Sequence, residues 1–324
     1  MTGDDLLTDQ LAAPQPRDLN RALAALQSWD GGAPSPDVFY GLSDLDDEQL
    51  LRYERVWLTL TPTLRASLLQ HLAEAGESNI DLDYRAPGLL ALDDEQAEVR
   101  RIAINLLWED DSRSLLHRLL RMAREDTAFS VRATAAGALG RFVLAGELGK
   151  LAPEEQQPVH QVLVKIWQDP VEDDAVRRRA LESLANCGHA LVPAAIDEAW
   201  QNSDPDMQAS ALYAMGRSCD QRWVPLVLEA LAASDAALLY EAVRACGELE
   251  IESALPRLVE LSCADDREIA AAAVLALGET GGRRARQHLE ALAEEARDNN
   301  DDSLMEVIED ALGNAASGGQ GPGW

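Results

Sequence analysis

The sequence predicts an all-α fold built as a solenoid of stacked helical hairpins, and three observations predict it. An apolar residue opens seven similar segments, at Val99, Val131, Val176, Met207, Leu238, Ile269 and Leu304, with intervals of 32, 45, 31, 31, 31 and 35 residues. Four positions later stand Ala103, Ala135, Ala180, Ala211, Ala242, Ala273 and Ile308, a column of mostly small side chains that lets a neighbouring helix come close. No run alternates apolar and polar residues with a period of two, so nothing reads as a strand. A hairpin of this size cannot bury its apolar side alone and gains a core only by stacking, so the period decides the fold before any local feature does.

Counting from the opening residue as zero, apolar residues at positions zero, four, five and eight make one stripe of a helix. Position eight holds Leu107, Leu139, Leu184, Met215, Cys246, Leu277 and Leu312, and position nine holds Trp108, Gly140, Ala185, Gly216, Gly247, Gly278 and Gly313. The glycines are expected to end this first helix by turning without a Cβ. Trp108, in a slot otherwise given to small residues, is expected to pack into a gap against the helices upstream.

A second helix follows in each repeat, with apolar positions at Leu115, Leu116 and Leu119, at Val162, Leu163 and Ile166, at Val192, Ala195 and Ile196, at Val224, Val227 and Leu228, and at Leu255 and Leu258. Pro193, Pro225 and Pro256 stand near the starts of three of them, where a missing N–H costs little. Asp126, Asp173, Asp204, Asp235, Asp266 and Asp301 precede the repeats and read as N-caps.

Upstream the rhythm degenerates. Residues 1–42, rich in Pro and Gly around the apolar segment Leu19 to Trp29, read as an N-terminal extension with one short helix and partial disorder. Residues 43–92 read as a degenerate helical capping region, with Ser43 capping a helix that carries Leu50, Leu51, Val56 and Trp57, Thr61 capping a second, and a third starting near Asp83. Residues 93–316 form the repeat array, with an insertion around 141–155 in the one long interval, and 317–324 read as a disordered tail ending in Trp324.

The short acidic turn followed by VRxxAxxALG stands almost unmodified in Val131, Arg132, Ala135, Ala138, Leu139 and Gly140. It resembles the HEAT repeat, in particular the bilin-lyase (PBS lyase) HEAT-like type common in bacterial proteins of the armadillo-like superfamily. The resemblance implies a right-handed α-solenoid, an α/α superhelix whose concave face is lined by the VRxxA helices. It also implies that Arg100, Arg132 and Arg177 pair with the acidic turn of a neighbouring repeat, as a ladder of charge-assisted hydrogen bonds.

Composition and motifs narrow the function. With 28 Lys+Arg against 57 Asp+Glu the net charge is −29, which disfavours nucleic acid, and only Lys150 and Lys165 are lysines. The apolar run Ile269 to Gly278 is far shorter than the roughly 20 residues of a membrane span. The N-terminus lacks a secretory signal, so a cytoplasmic protein is expected. Cys187, Cys219, Cys246 and Cys263 have no CxxC spacing, against a disulfide framework or a zinc site. HExxH, GxSxG and GxxxxGKT motifs are absent from the sequence. None of His71, His117, His160, His189 and His288 stands in the His-Glu pair of the di-iron HEAT-repeat hydroxylases. No catalytic residue, cofactor or metal ligand is assigned.

Helical phase places positions three, six, seven and ten on the concave face. Its charges are Arg141, Arg179, Arg217 and Arg244 against Glu109, Glu182, Glu241 and Glu248, unlike the basic groove of HEAT-like DNA glycosylases. Residues 176–247 carry a net charge of −3 and residues 248–324 one of −11, so the middle of the array is its least repulsive part. Rigid aromatic area beside guanidinium groups is enriched where proteins bind each other. The candidate partner-binding residues are therefore Arg141, Arg179, Tyr213, Arg217, Tyr240, Glu241 and Arg244. The expected function is a non-enzymatic scaffold or adaptor, a monomer that binds a protein with a basic patch and neither nucleic acid nor membrane. The alternatives are a bilin or tetrapyrrole lyase-like chromophore chaperone and an orphan enzyme with a pocket near the insertion.

Overall fold

Aspartates placed ahead of the repeats cap helices by accepting backbone N–H groups that have no intrahelical partner. Asp235 accepts from the Leu238 amide at 3.0 Å, Asp266 from that of Ile269 at 3.2 Å and Asp301 from that of Leu304 at 3.1 Å. The computed structural model describes residues 17–317, with side chains through 314, and every regular element in that range is helical. Expectations for residues 1–16 and 318–324, Trp324 among them, lie outside the described residues.

The chain divides into two compact units, residues 1–142 and 143–324. The first contains α1 (Leu19–Gln27), α2 (Pro36–Gly41), α3 (Asp47–Trp57), α4 (Pro62–Ser78), α5 (Arg85–Ala91), α6 (Ala97–Leu106), α7 (Arg113–Glu125) and α8 (Phe129–Ala138). The division falls within α9 (Gly140–Glu147). The second unit continues with α10 (Pro153–Gln168), α11 (Asp174–Leu184), α12 (Val192–Trp200), α13 (Pro205–Arg217), α14 (Val224–Ala230) and α15 (Ala236–Glu248). It ends with α16 (Leu255–Leu261), α17 (Arg267–Thr280), α18 (Gly282–Asn299) and α19 (Asp302–Ser317). Single 3-10 turns, Gln221–Trp223 and Glu252–Ala254, lead into α14 and α16.

The first unit corrects the upstream reading in two places. Two helices form where one was expected, because Val38, Phe39 and Tyr40 of α2 find burial beside Leu19, Leu23 and Leu26 of α1. Helix α3 is capped by Asp46 instead of Ser43: the Asp46 carboxylate accepts the Gln49 amide at 2.8 Å and the Gln49 side-chain oxygen accepts the Asp46 amide at 3.0 Å. The Ser43 hydroxyl accepts the Asp83 amide at 2.9 Å and so ties this loop to the start of α5.

The repeat core follows the sequence phase. Ala103, Ala135, Ala180, Ala211, Ala242, Ala273 and Ile308 are all fully buried, and the first helices of consecutive repeats pack side by side, α13 on α15, α15 on α17 and α17 on α19. The glycines, however, are not turn residues. Gly216, Gly247 and Gly278 lie within their helices, where an added Cβ would stand 3.0 Å from the Ala245 Cα, 2.8 Å from the Ala276 Cα and 2.8 Å from the Ala311 Cα. They exist for close helix approach. The positive φ angles come three residues later, at Cys219 (50°), Glu250 (51°) and Gly281 (66°). The alanines at position seven, Ala214, Ala245 and Ala276, are buried, so this position belongs to the seam and not to an open face.

Arginine pairing is realised unevenly. Arg100 donates twice to the carboxylate of Asp126, at 2.7 and 2.8 Å, and Arg65 reaches Asp94 at 2.5 Å, each joining successive hairpins of the first unit. Arg132 donates to the Asp126 carbonyl at 2.8 Å. Arg177 departs from the expected ladder: it lies over the Trp167 ring and pairs with Asp174 and Glu198, because the longer α10 brings an aromatic face beneath it. Burial works against ionisation of Asp126, but the bonds from Arg100 and the Ala128 amide prevail and hold its carboxyl below the usual range.

Two outcomes test these assignments. Alanine exceeds glycine in helix propensity by about 0.5–1 kcal/mol, yet Gly247→Ala is expected to lower the unfolding midpoint, since overpacking costs ~1–3 kcal/mol; a raised midpoint would show an open seam. Asp126→Asn keeps an acceptor for the Ala128 amide and loses the anion, so it should destabilise the fold at neutral pH by about 1–3 kcal/mol. Because the folded carboxyl is depressed, its contribution is present above the ordinary value of about 3.9 and disappears as pH falls through the folded one. Thermal melts of the two proteins should therefore converge in acid.

Candidate protein-interaction site

Six of the seven candidate residues lie together in the second unit, on the exposed edge of α11, α13 and α15. Five of them, Arg179, Tyr213, Tyr240, Glu241 and Arg244, line a cleft of about 440 Å³ that also takes in Arg178, Glu182, Asp206, Ser210 and Glu268. The repeat geometry positions them. Positions three and six of each first helix stand one turn apart, so residues 31 apart become lateral neighbours on adjacent helices.

Hydrogen bonds run across that edge. Arg178 donates to the Ser210 hydroxyl at 3.1 Å and pairs with Asp206 at 2.5 Å; Ser210 in turn donates to Glu182 at 2.7 Å. Arg179 pairs with Glu182 at 2.5 Å and remains half-exposed. Arg244 pairs with Glu241 at 3.3 Å and Glu248 at 3.6 Å, and its guanidinium lies 5.3 Å from the Tyr213 ring centre and 5.9 Å from that of Tyr240.

Position ten forms a second column at 31-residue spacing: Asn186, Arg217, Glu248 and Glu279. Arg217 donates to the Asn186 side-chain oxygen at 3.0 and 2.9 Å and lies 3.5 Å from Glu248. Glu279 continues the column with another negative charge. Burial pushes the carboxyls of Glu241, Glu248 and Glu279 up, and Glu248 adds to the effect on Glu279. Burial likewise pushes the Tyr213 phenol up. Around Arg244, Glu248 and Glu279 the exposed Leu275 and the half-buried Tyr240 provide apolar surface beside these acids.

Arg141 is placed elsewhere. In the first unit it donates to the carbonyls of Leu107 at 3.0 Å and Asp110 at 3.1 Å, in the turn after α6, and it lies over the Phe142 ring. Sequence reasoning missed Arg178, Ser210, Leu275 and Glu279. Counting positions three, six and ten through every repeat finds Ser210, Leu275 and Glu279; Arg178, at position two, gives no signal before the helices are placed.

Near the insertion, a separate cleft of about 400 Å³ is lined by Pro153, Gln156, Gln157, His160, Gln161, Val164 and His189. The two imidazoles meet edge to face with ring centres 5.7 Å apart, and burial and His189 hold His160 below its ordinary pKa. No nucleophile or carboxylate is among the lining residues. Among the described residues no group of three or more His, Cys, Asp or Glu is arranged to hold a metal ion, and no helix is long and apolar enough to cross a membrane.

Comparison with curated proteins finds no match. Among solved structures, the chain is similar to YibA of Escherichia coli at 17% identity and a TM-score of 0.46, over 86% of this chain and 95% of that one. It is also similar to human deoxyhypusine hydroxylase in complex with glycerol, at 16% identity and a TM-score of 0.35, over 97% and 99% of the two chains. A third likeness is to Kap95p in its complex with RanGDP, at 12% identity and a TM-score of 0.43, over 97% of this chain and 46% of that one. The sequence profile of HEAT repeats matches residues 86–172 and 224–309, more than half of the chain, and the chain belongs to the HEAT repeat family.

Proposed function

We propose that the protein is a non-enzymatic scaffold whose second unit binds a protein partner through the edge formed by α11, α13, α15 and α17, and that the partner presents a basic patch there. The observation that carries this reading is the cluster of three acids, Glu241, Glu248 and Glu279, around the two guanidinium groups of Arg217 and Arg244, with burial raising all three carboxyls. Negative charge that the fold leaves under-compensated is relieved by a cation from outside, while Tyr213, Tyr240 and Leu275 supply apolar contact beside it.

The bilin-lyase subtype, and the chromophore chaperone it implies, rest on the repeat motif alone. Cys187 and Cys246 are buried, with the Cys246 thiol pushed up by burial to about 12, and Cys219 and Cys263 sit in turns of different repeats. The cleft at His160 and His189 is the place an enzyme alternative would use, and its lining supplies no acid or nucleophile to pair with the imidazoles.

A fluorescein-labelled oligo-arginine peptide tests the interaction by anisotropy. Binding should weaken steeply with salt, and the pair Glu248→Gln with Glu279→Gln should weaken it about tenfold, equivalent to about 1.4 kcal/mol. The pair Glu294→Gln with Glu306→Gln removes the same charge from exposed positions and should change little. Equal losses in both would reduce the effect to overall acidity.

Stability gives an independent readout. A carboxyl whose folded pKa is raised contributes stability below the ordinary value of about 4.3 and loses it as pH rises through the folded one. Glu279→Gln should therefore melt at or above the wild-type temperature at neutral pH, with the difference closing in acid. A lower melting temperature at neutral pH would mean that Glu279 stabilises the fold.

A further inference from the structure

The first unit carries an exposed indole that the repeat pattern does not account for. Trp108 was expected to fill a gap, yet it is 55% exposed, and Ile80 at 97% exposure belongs to the same cleft of about 480 Å³. The cleft lies between the end of α4, the loop before α5 and the turn after α6, over a floor of Leu82, Tyr84 and Leu107, all buried. Scattered apolar side chains on a surface are ordinary; two large ones at one rigid concavity are the mark of a binding surface.

Its rim is acidic. Asp83 and Glu109 are exposed, and the Asp111 side chain is 85% exposed. Arg85 is the cation among the lining residues, and it is engaged, donating to Asp110 at 2.9 Å. Arg141 stands 4.0 Å from Asp111, so a cationic group entering beside Trp108 meets rim carboxylates, Asp83 and Glu109 among them, that Arg85 and Arg141 compensate only in part.

The turn bearing the indole is held before anything binds. The Trp108 amide donates to the Asn105 carbonyl at 3.1 Å, the Asp110 carboxylate accepts the Ser112 amide at 2.8 Å, and Arg141 secures the Leu107 and Asp110 carbonyls. A site already ordered when free loses little conformational entropy on association.

We propose that this cleft docks a short peptide segment of a partner protein, an apolar anchor flanked by basic residues, with the anchor against Trp108 and Ile80 and the cations on Glu109, Asp111 and Asp83. The site is separate from the edge assigned in the second unit and does not depend on it.

The test uses the full chain and a fluorescein-labelled peptide in which lysines flank a leucine pair, together with the same peptide carrying serines in place of the leucines. Trp108→Ser should weaken the leucine peptide at least about tenfold, Trp108→Phe should restore most of the affinity, and the serine peptide should bind the wild type poorly. Glu248→Gln with Glu279→Gln should leave binding unchanged, which separates this site from the second-unit edge. Far-ultraviolet circular dichroism checks that the variants are folded; if Trp108→Ser is not, Ile80→Ser carries the same expectation. Retained affinity in the folded serine variant, equal binding of the two peptides, or loss only in the second-unit variant overturns the proposal.

Discussion

The distance between adjacent first helices in the second unit sets everything that the unit displays. At Gly216, Gly247 and Gly278 the next helix leaves no room for a Cβ, and the facing residues Ala245, Ala276 and Ala311 are themselves small. Interiors are packed to near-crystalline density, so a seam built from hydrogen atoms and methyl groups defines helix separation closely. Side chains at equivalent positions of neighbouring repeats then fall within hydrogen-bond range without any local device. Arg178 meets Ser210, and Arg217 meets Asn186, because each pair sits about one repeat apart on helices in contact.

Much of this architecture is legible in the sequence because periodicity converts local ambiguity into a pattern. The alanine column, the proline-led second helices and five of the six aspartate caps appear where the period puts them, whereas Asp126 stands two residues before the N-cap Ala128 and accepts its amide. The errors arise where one residue type serves two purposes. A glycine ending an apolar stripe is equally suited to a left-handed turn and to a close helical contact, and only the placement of the next helix distinguishes them. Ser43 and Asp46 are both good caps, and the reciprocal bond that the Gln49 side chain accepts from the Asp46 amide selects the second.

The candidate site divides along the same line. Residues at repeat positions three, six and ten could be gathered from the sequence alone, and the structure brings five of the candidates at those positions, with Tyr240 beside them, to one edge. Arg141 shares that phase but sits beside the Leu107 and Asp110 carbonyls of the turn after α6, and these claim its guanidinium. Trp108 shows the converse. Nothing in the sequence separates an indole that fills a void from one that forms the wall of a cleft, since both need a small-residue slot next to a degenerate repeat.

The exits from α13 and α15 are superimposable in kind. Cys219 and Glu250 each take a left-handed conformation, each donates its amide three residues back, to Gly216 at 3.0 Å and Gly247 at 2.8 Å, and each is followed by a 3-10 turn and a proline-led helix five positions on. Chain direction at the two points is thus interchangeable. Excising residues 220–250 would join one such exit to the continuation of the other and bring Gly216 opposite Ala276, a partner of the same size as the one removed. Length in this unit is accordingly a variable that the fold leaves open, adjustable one hairpin at a time without redesigning a junction.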